Sequence, residues 1–115
     1  MDEPGPKFLV AFVRSVAVLA LEADAQVVWL EEKSVAPSAD ELALEFDDGF
    51  QLVPTFIERG WLNEMALPAL AQLDEQLDAM SGEHYAGLWD AAALAGRAGW
   101  ARVRALARAA LILLA

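Results

Sequence analysis

The sequence contains no cysteine and a single histidine, His84. Without cysteine the protein has no disulfide bonds and no thiolate nucleophile or metal ligand, and its redox compartment cannot be inferred. Catalysis by a serine or lysine nucleophile needs a neighbouring base, and we expect His84 to lie in a surface connection. Glycine-rich phosphate loops, zinc-ligand spacings and nucleotide-binding motifs are also missing from the sequence. These absences argue against an enzyme, a metal site or a bound cofactor.

Basic residues are scarce: 8 Lys and Arg stand against 18 Asp and Glu, which gives a net charge of −10. This balance argues against nucleic-acid binding through a basic surface and favours basic proteins as partners. All 18 acidic residues lie at or before Asp90, whereas Arg97–Ala115 holds four arginines and no acid. The asymmetry predicts either internal pairing of these arginines with carboxylates, which is the more ordinary outcome, or two separate faces.

Strand-like alternation of any useful length and internal repeats are missing as well. The chain has 115 residues, of which 57% are hydrophobic, so it is large enough for one core and too apolar to be disordered. We therefore predict an all-α fold, a single-domain bundle of four to five helices. The domain spans residues 1–115, and residues 1–6, which include Pro4 and Pro6, form a flexible arm.

The most apolar run, FLVAFVRSVAVLAL at Phe8–Leu21, has three interpretations. A transmembrane helix needs about 20 apolar residues, and this run is shorter and contains Arg14. A signal peptide suits its length and the sequence Ala23-Asp24-Ala25, but Asp2 and Glu3 stand where positive charge is expected. We favour a core helix buried nearly all round, with a bend near Glu22–Ala25, and hence a cytoplasmic protein that neither enters nor binds a membrane.

The stretch Ser38–Gly60, SADELALEFDDGFQLVPTFIERG, combines a core-forming side with an acidic side. Ser38 and Glu41 have the spacing of a capping box, which predicts a helix starting at about Ala39. Pro54 predicts a kink or a break in this helix, and Gly60 its end. The apolar side comprises Leu42, Phe46, Phe50, Val53 and Ile57. The acidic side comprises Glu41, Glu45 and Asp48, with Asp47 nearby.

The next helix is predicted to begin with a turn capped by Asn63, to restart at Pro68 and to stop at Gly82. Its inward residues are Leu67, Leu70, Leu73, Leu77 and Met80. It carries a second acidic cluster, Asp74, Glu75 and Asp78. A last helix is predicted from about Gly99 to Ala115, with Trp100, Val103, Ala107, Ala110, Leu111 and Leu114 inward and Arg97, Arg104 and Arg108 on its outer face.

The acidic residues of the two central helices have two interpretations. A run of charge is usually a solvated surface. Dense carboxylates can also form a docking face, because they accelerate encounter with a basic protein and select for it. A carboxylate-bridged metal site in a bundle would need Glu-x-x-His motifs facing inward, and the sequence has none.

The segment ADELALEFDDGFQLVPTFIERGWLNEMALPALAQLDEQLDAM resembles small acidic all-α immunity proteins, which are encoded beside bacterial polymorphic or contact-dependent toxins. The similarity is one of layout: an L-A-L-E-F run with acids early in one helix, a short turn, and a leucine-rich helix with acids. It implies a one-to-one inhibitor of a cognate toxin, and a nuclease is one such target. By this analogy the partner-binding residues are Glu41, Glu45, Asp47, Asp48, Asp74, Glu75 and Asp78.

We therefore expect a protein-binding inhibitor, without catalytic residues, metal or cofactor, whose partner is a cognate toxin or another basic protein. The alternative is a homo-oligomeric or adaptor domain that uses the apolar N-terminal helix as its interface. Both a monomer and a homodimer are compatible with the sequence.

Overall fold

A computed structural model describes residues 5–33, 38–81 and 87–114. The described residues form seven α-helices and, between α4 and α5, a 3₁₀ turn at Glu64–Ala66. The helices are α1 (Pro6–Ala20), α2 (Ala23–Lys33), α3 (Asp40–Phe50), α4 (Val53–Glu58), α5 (Leu67–Ala79), α6 (Ala93–Gly96) and α7 (Ala98–Leu114). The predicted all-α single-domain bundle is confirmed: five helices have eleven or more residues, and α4 and α6 are short connecting helices. α5 ends at Ala79 with its C-cap at Met80, before the predicted stop at Gly82. Gly82 itself and the predicted surface position of His84 lie outside the described residues.

The apolar N-terminal run becomes α1, and the chain bends between Ala20 and Ala23, slightly before the predicted position near Glu22–Ala25. Phe12, Val16 and Leu19 are fully buried. However, α1 is not buried all round: Phe8 is 44% exposed and Val10 is 56% exposed. The expectation was wrong for the first two turns of α1, because the neighbouring helices cover only one side of the helix there.

The stretch from Ser38 to Gly60 forms two helices, so Pro54 coincides with a break rather than a kink. Pro54 lies in the first turn of α4, where its missing N–H has no helical partner to lose. The predicted capping box at Ser38 is wrong. The Ser38 hydroxyl accepts the backbone N–H of Asp40, and it donates to the carboxylate of Asp40 or to the carbonyl of Trp89. Ser38 also forms an isolated β-bridge with Asp90, which ties the start of α3 to the segment before α6.

The connection to α5 follows the predicted turn chemistry. Gly60 has φ of +75°, the left-handed conformation that favours glycine after a helix. The side chain of Asn63 accepts the N–H of Met65 and caps the 3₁₀ turn. Pro68 then lies in the first turn of α5. These local signals set the direction of α5, whose Leu70, Leu73 and Leu77 are buried, whereas Leu67 is 40% exposed.

The core lies where α1 contacts α3 and α7, and where α5 contacts α7. The ring of Phe12 lies 5.6 Å from that of Phe46 and 6.3 Å from that of Phe56. At the other end, Trp89 and Trp100 form an edge-to-face pair with ring centroids 5.3 Å apart. The buried indole N–H of Trp100 donates to the carbonyl of Leu88. One continuous apolar core therefore fixes α3 between α1 and α5.

Candidate functional site

The exposed side of α3 carries four of the seven predicted binding residues, Glu41, Glu45, Asp47 and Asp48. Because an α-helix has 3.6 residues per turn, these carboxylates spread around the exposed half of the helix. Leu44, which is 58% exposed, lies between them. We call Glu41, Leu44, Glu45, Asp47 and Asp48 the α3 ridge. The opposite side of α3 closes the core with Leu42 and Phe46, so one helix both packs and presents charge.

The second acidic cluster lies across a groove from this ridge. Asp47 of α3 and Asp74 and Asp78 of α5 line the α3–α5 groove, which has a volume of about 270 Å³. The other lining residues are Ala43, Leu44, Phe46, Leu77 and Ser81. Glu75 is exposed on the same helix as Asp74. The structure therefore brings carboxylates from the two predicted clusters together.

Asp74 is the half-buried member of this group. Burial raises the pKa of its carboxyl above the ordinary value of 3.8, and the negative charges of Asp47, Asp78 and Glu75 raise it further. Both causes act against the charged form, because the carboxylate loses water and faces like charges. Burial is thus the main cause of the raised pKa, and Asp47 adds a like charge from α3.

Replacing Asp74 with asparagine is expected to stabilise the protein at pH 7 by a few tenths of a kcal/mol. Since the folded-state pKa lies above that of the unfolded chain, the ionised carboxylate destabilises the fold at neutral pH, and the effect is lost as the pH falls through the raised pKa. The gain from Asp74→Asn should therefore shrink as the pH approaches 3.8. Urea denaturation across this pH range measures it, and a gain that grows on acidification would contradict the argument.

Three of the carboxylates also lie where the helix dipole disfavours them. Asp47 and Asp48 are in the last turn of α3 and Asp78 is in the last turn of α5, and neither last turn contains a basic residue. A helix C-terminus carries partial negative charge, and an acid placed there costs roughly 0.3–1 kcal/mol. The carboxylate of Asp47 accepts a hydrogen bond from the side-chain amide of Gln51 at 3.0 Å, which offsets part of this cost. Acidic residues that keep such an unfavourable placement are typical of functional sites.

A second groove lies on the other side of the α3 ridge, between α1 and α3. Its volume is about 420 Å³, and it is lined by Phe8, Ala11, Phe12, Glu45, Asp48, Gly49 and Leu52. We call it the α1–α3 groove. Its lining is mostly apolar, with Glu45 and Asp48 as its acidic members. The sequence did not reveal this groove, although a glycine on the apolar side of α3 was a signal that another helix approaches closely.

The arginines of α7 are engaged elsewhere. Arg104 is half-buried and donates to the carbonyl of Leu94 at 2.8 Å and to the side chain of Gln26 at 3.4 Å. Arg108 donates to the carbonyl of Ala20 and forms an ion pair with Glu22 at 2.8 Å. Of the three arginines predicted on the outer face, Arg97 and Arg108 are exposed, whereas Arg104 is half-buried. Arg97 also precedes α7. Arg104 and Arg108 contact the α1–α2 corner and the end of α6 rather than the seven carboxylates.

Within residues 5–33, 38–81 and 87–114, no three carboxylate or histidine side chains are arranged so that they could hold a metal ion. Each helix in the same ranges also falls short of the length and apolar character that a bilayer crossing requires.

Comparisons with known proteins give no relative: no protein-family model, no curated protein and no solved structure matches the chain.

Proposed function

We propose that this protein binds a basic protein through the α3 ridge and the acidic residues of α5, and that it acts as an immunity-type inhibitor of a bacterial toxin. The main support is the placement of the carboxylates. Asp47, Asp48 and Asp78 add to the negative ends of two helices, and Asp47 faces Asp74 across a groove. This arrangement lowers stability, and a cationic partner would relieve the repulsion on binding.

Electrostatics of this kind also suit the task of an inhibitor. A toxin must be bound before it acts, so fast association matters, and a concentrated negative field can raise the association rate by 10-fold or more. The rigid core under α3, formed by Phe12, Phe46 and Phe56, would hold the carboxylates in place. The entropy lost on binding would be correspondingly small.

We expect a gene beside the one for this protein to encode a toxin domain. The experiment measures the affinity of that domain for the protein by calorimetry at about 0.15 M salt. Asp47→Lys together with Asp48→Lys should weaken binding at least tenfold, which corresponds to about 1.4 kcal/mol. The helix should remain intact, because lysines in the last turn of α3 favour the helix dipole.

The matched control reverses Glu31 and Glu32, an adjacent pair on the exposed side of α2. This variant changes the net charge by the same amount. Its affinity should stay within about threefold of the native value, because the pair lies on α2, outside the α3 ridge and the two grooves, and salt weakens the effect of distant charges. Equal losses in the two variants would mean that net charge alone matters. An unchanged affinity in the Asp47 and Asp48 variant would remove the proposed site.

The homo-oligomeric or adaptor alternative depends on the apolar surface of α1. Phe12, Val16 and Leu19 are buried in the protein's own core, so the outward apolar surface near the start of α1 consists mainly of Phe8 and Val10. An interface through α1 would therefore be confined to its first two turns.

A further inference from the structure

The α1–α3 groove is a mostly apolar surface beside the α3 ridge. Its lining indicates which kind of basic segment the ridge would bind. The wall on the α1 side contains Phe8, which is 44% exposed, and Ala11, which is exposed and leaves space because its side chain is short. The half-buried side chain of Leu52 and the buried Phe12 complete the apolar lining. A volume of about 420 Å³ is enough for a large side chain.

The charged members of this groove all come from one wall. Glu45 and Asp48, three residues apart on α3, are exposed and lie on the same side as Glu41. A ligand side chain in this groove is therefore covered by apolar atoms while its neighbours face carboxylates. An aliphatic or aromatic side chain flanked by lysine or arginine complements both features, whereas an acidic or purely polar segment would leave them unmatched.

We propose that the α1–α3 groove seats one large apolar side chain of the partner, carried on a helical segment whose adjacent Lys or Arg residues pair with Glu45 and Asp48. This inference rests on the proposed function and specifies the chemistry of the partner: an amphipathic basic helix rather than a merely basic surface. The groove binds the apolar side chain of the partner helix. The α3 ridge accelerates encounter with that helix and orients it.

Two synthetic peptides test the proposal: an amphipathic helix of leucine and lysine, and the same peptide with each leucine replaced by alanine. Charge and helix propensity are nearly equal in the two peptides. The leucine peptide is expected to bind the native protein at least tenfold more tightly, by fluorescence anisotropy at about 0.15 M salt. Equal affinities for the two peptides would overturn the proposal.

A variant that fills the groove distinguishes specific binding of leucine in the groove from non-specific hydrophobic binding. Ala11→Trp occupies the groove and retains every carboxylate, so it should remove most of the preference for the leucine peptide. Ala101→Trp, at an exposed alanine of α7, is the matched control and should leave the preference intact. Should Ala11→Trp disturb folding, as judged by its circular dichroism melting curve, Phe8→Ala replaces it and should weaken binding of the leucine peptide alone.

The outcomes separate the two proposals. A preference for leucine that survives in both Ala11→Trp and Phe8→Ala overturns the groove as the anchor site. If, in addition, Asp47→Lys with Asp48→Lys weakens both peptides, the acidic docking surface stands without the groove. Sedimentation of the native chain tests whether a second copy of the protein occupies the groove. A dimer that Ala11→Trp dissociates would identify that second copy as the ligand and overturn the proposal.

Discussion

Replacing Gly49 with alanine is expected to lower the free energy of unfolding by roughly 1–3 kcal/mol, although alanine has the better helix propensity by about 1 kcal/mol. Gly49 lies inside α3 and is buried against Phe12 of α1. A Cβ atom at position 49 would lie 2.7 Å from the Cβ of Phe12 and 2.9 Å from its Cγ. Because the Cβ of Phe12 is fixed to its backbone, side-chain rotation cannot remove the clash.

The two helices must therefore move apart, and the ring contact between Phe12 and Phe46 should loosen with them. Urea denaturation followed by circular dichroism measures the change in stability. Gly96→Ala is the matched control, because a Cβ atom there meets nothing within 4 Å, and it should be neutral or slightly stabilising. A Gly49→Ala variant as stable as the native protein would show that α1 and α3 do not approach this closely.

Much of the fold could be predicted because its signals are local. Apolar residues at helical spacing identified the buried side of α3, since Leu42 and Phe46 repeat with the period of the helix. Gly60, Asn63 and Pro68 marked the turn before α5, because each fits one backbone conformation or one capping bond. Such signals act over a few residues, so a single sequence reveals them.

The remaining features depend on contacts between distant parts of the chain. The Ser38 hydroxyl donates a hydrogen bond to the carbonyl of Trp89. No local sequence pattern predicts a contact between residues so far apart in the chain. The α1–α3 groove lies where α1 approaches Gly49 of α3 closely, and the partly exposed Phe8 forms part of its lining. The seven acidic residues could be named from charge spacing. That Asp47 and Asp74 line the same groove could not be predicted, because it depends on how α5 packs against the bundle.

Gln26 is a polar residue in the otherwise apolar core, and it is fully buried. Its amide nitrogen donates to the carbonyls of Val18 and Leu19 at 3.1 and 3.0 Å. Its amide oxygen accepts Nη1 of Arg104 at 3.4 Å. The last carbonyls of a helix have no partners within the helix, so Gln26, with Arg108 at the carbonyl of Ala20, replaces the missing bonds at the end of α1.

Replacing Gln26 with alanine is expected to lower the free energy of unfolding by roughly 2–4 kcal/mol, because it creates a cavity and removes the donor to the carbonyl of Leu19. The carbonyl of Val18 keeps the backbone N–H of Leu21 as a donor. Gln26→Leu keeps most of the volume and should cost about 1–3 kcal/mol, the part due to hydrogen bonding alone. Gln72, exposed on α5, is the control, and its replacement by alanine should change stability by less than about 0.5 kcal/mol. If Gln26→Leu unfolds at the same urea concentration as the native protein, water or the backbone must satisfy the end of α1, and Gln26 serves only to fill space.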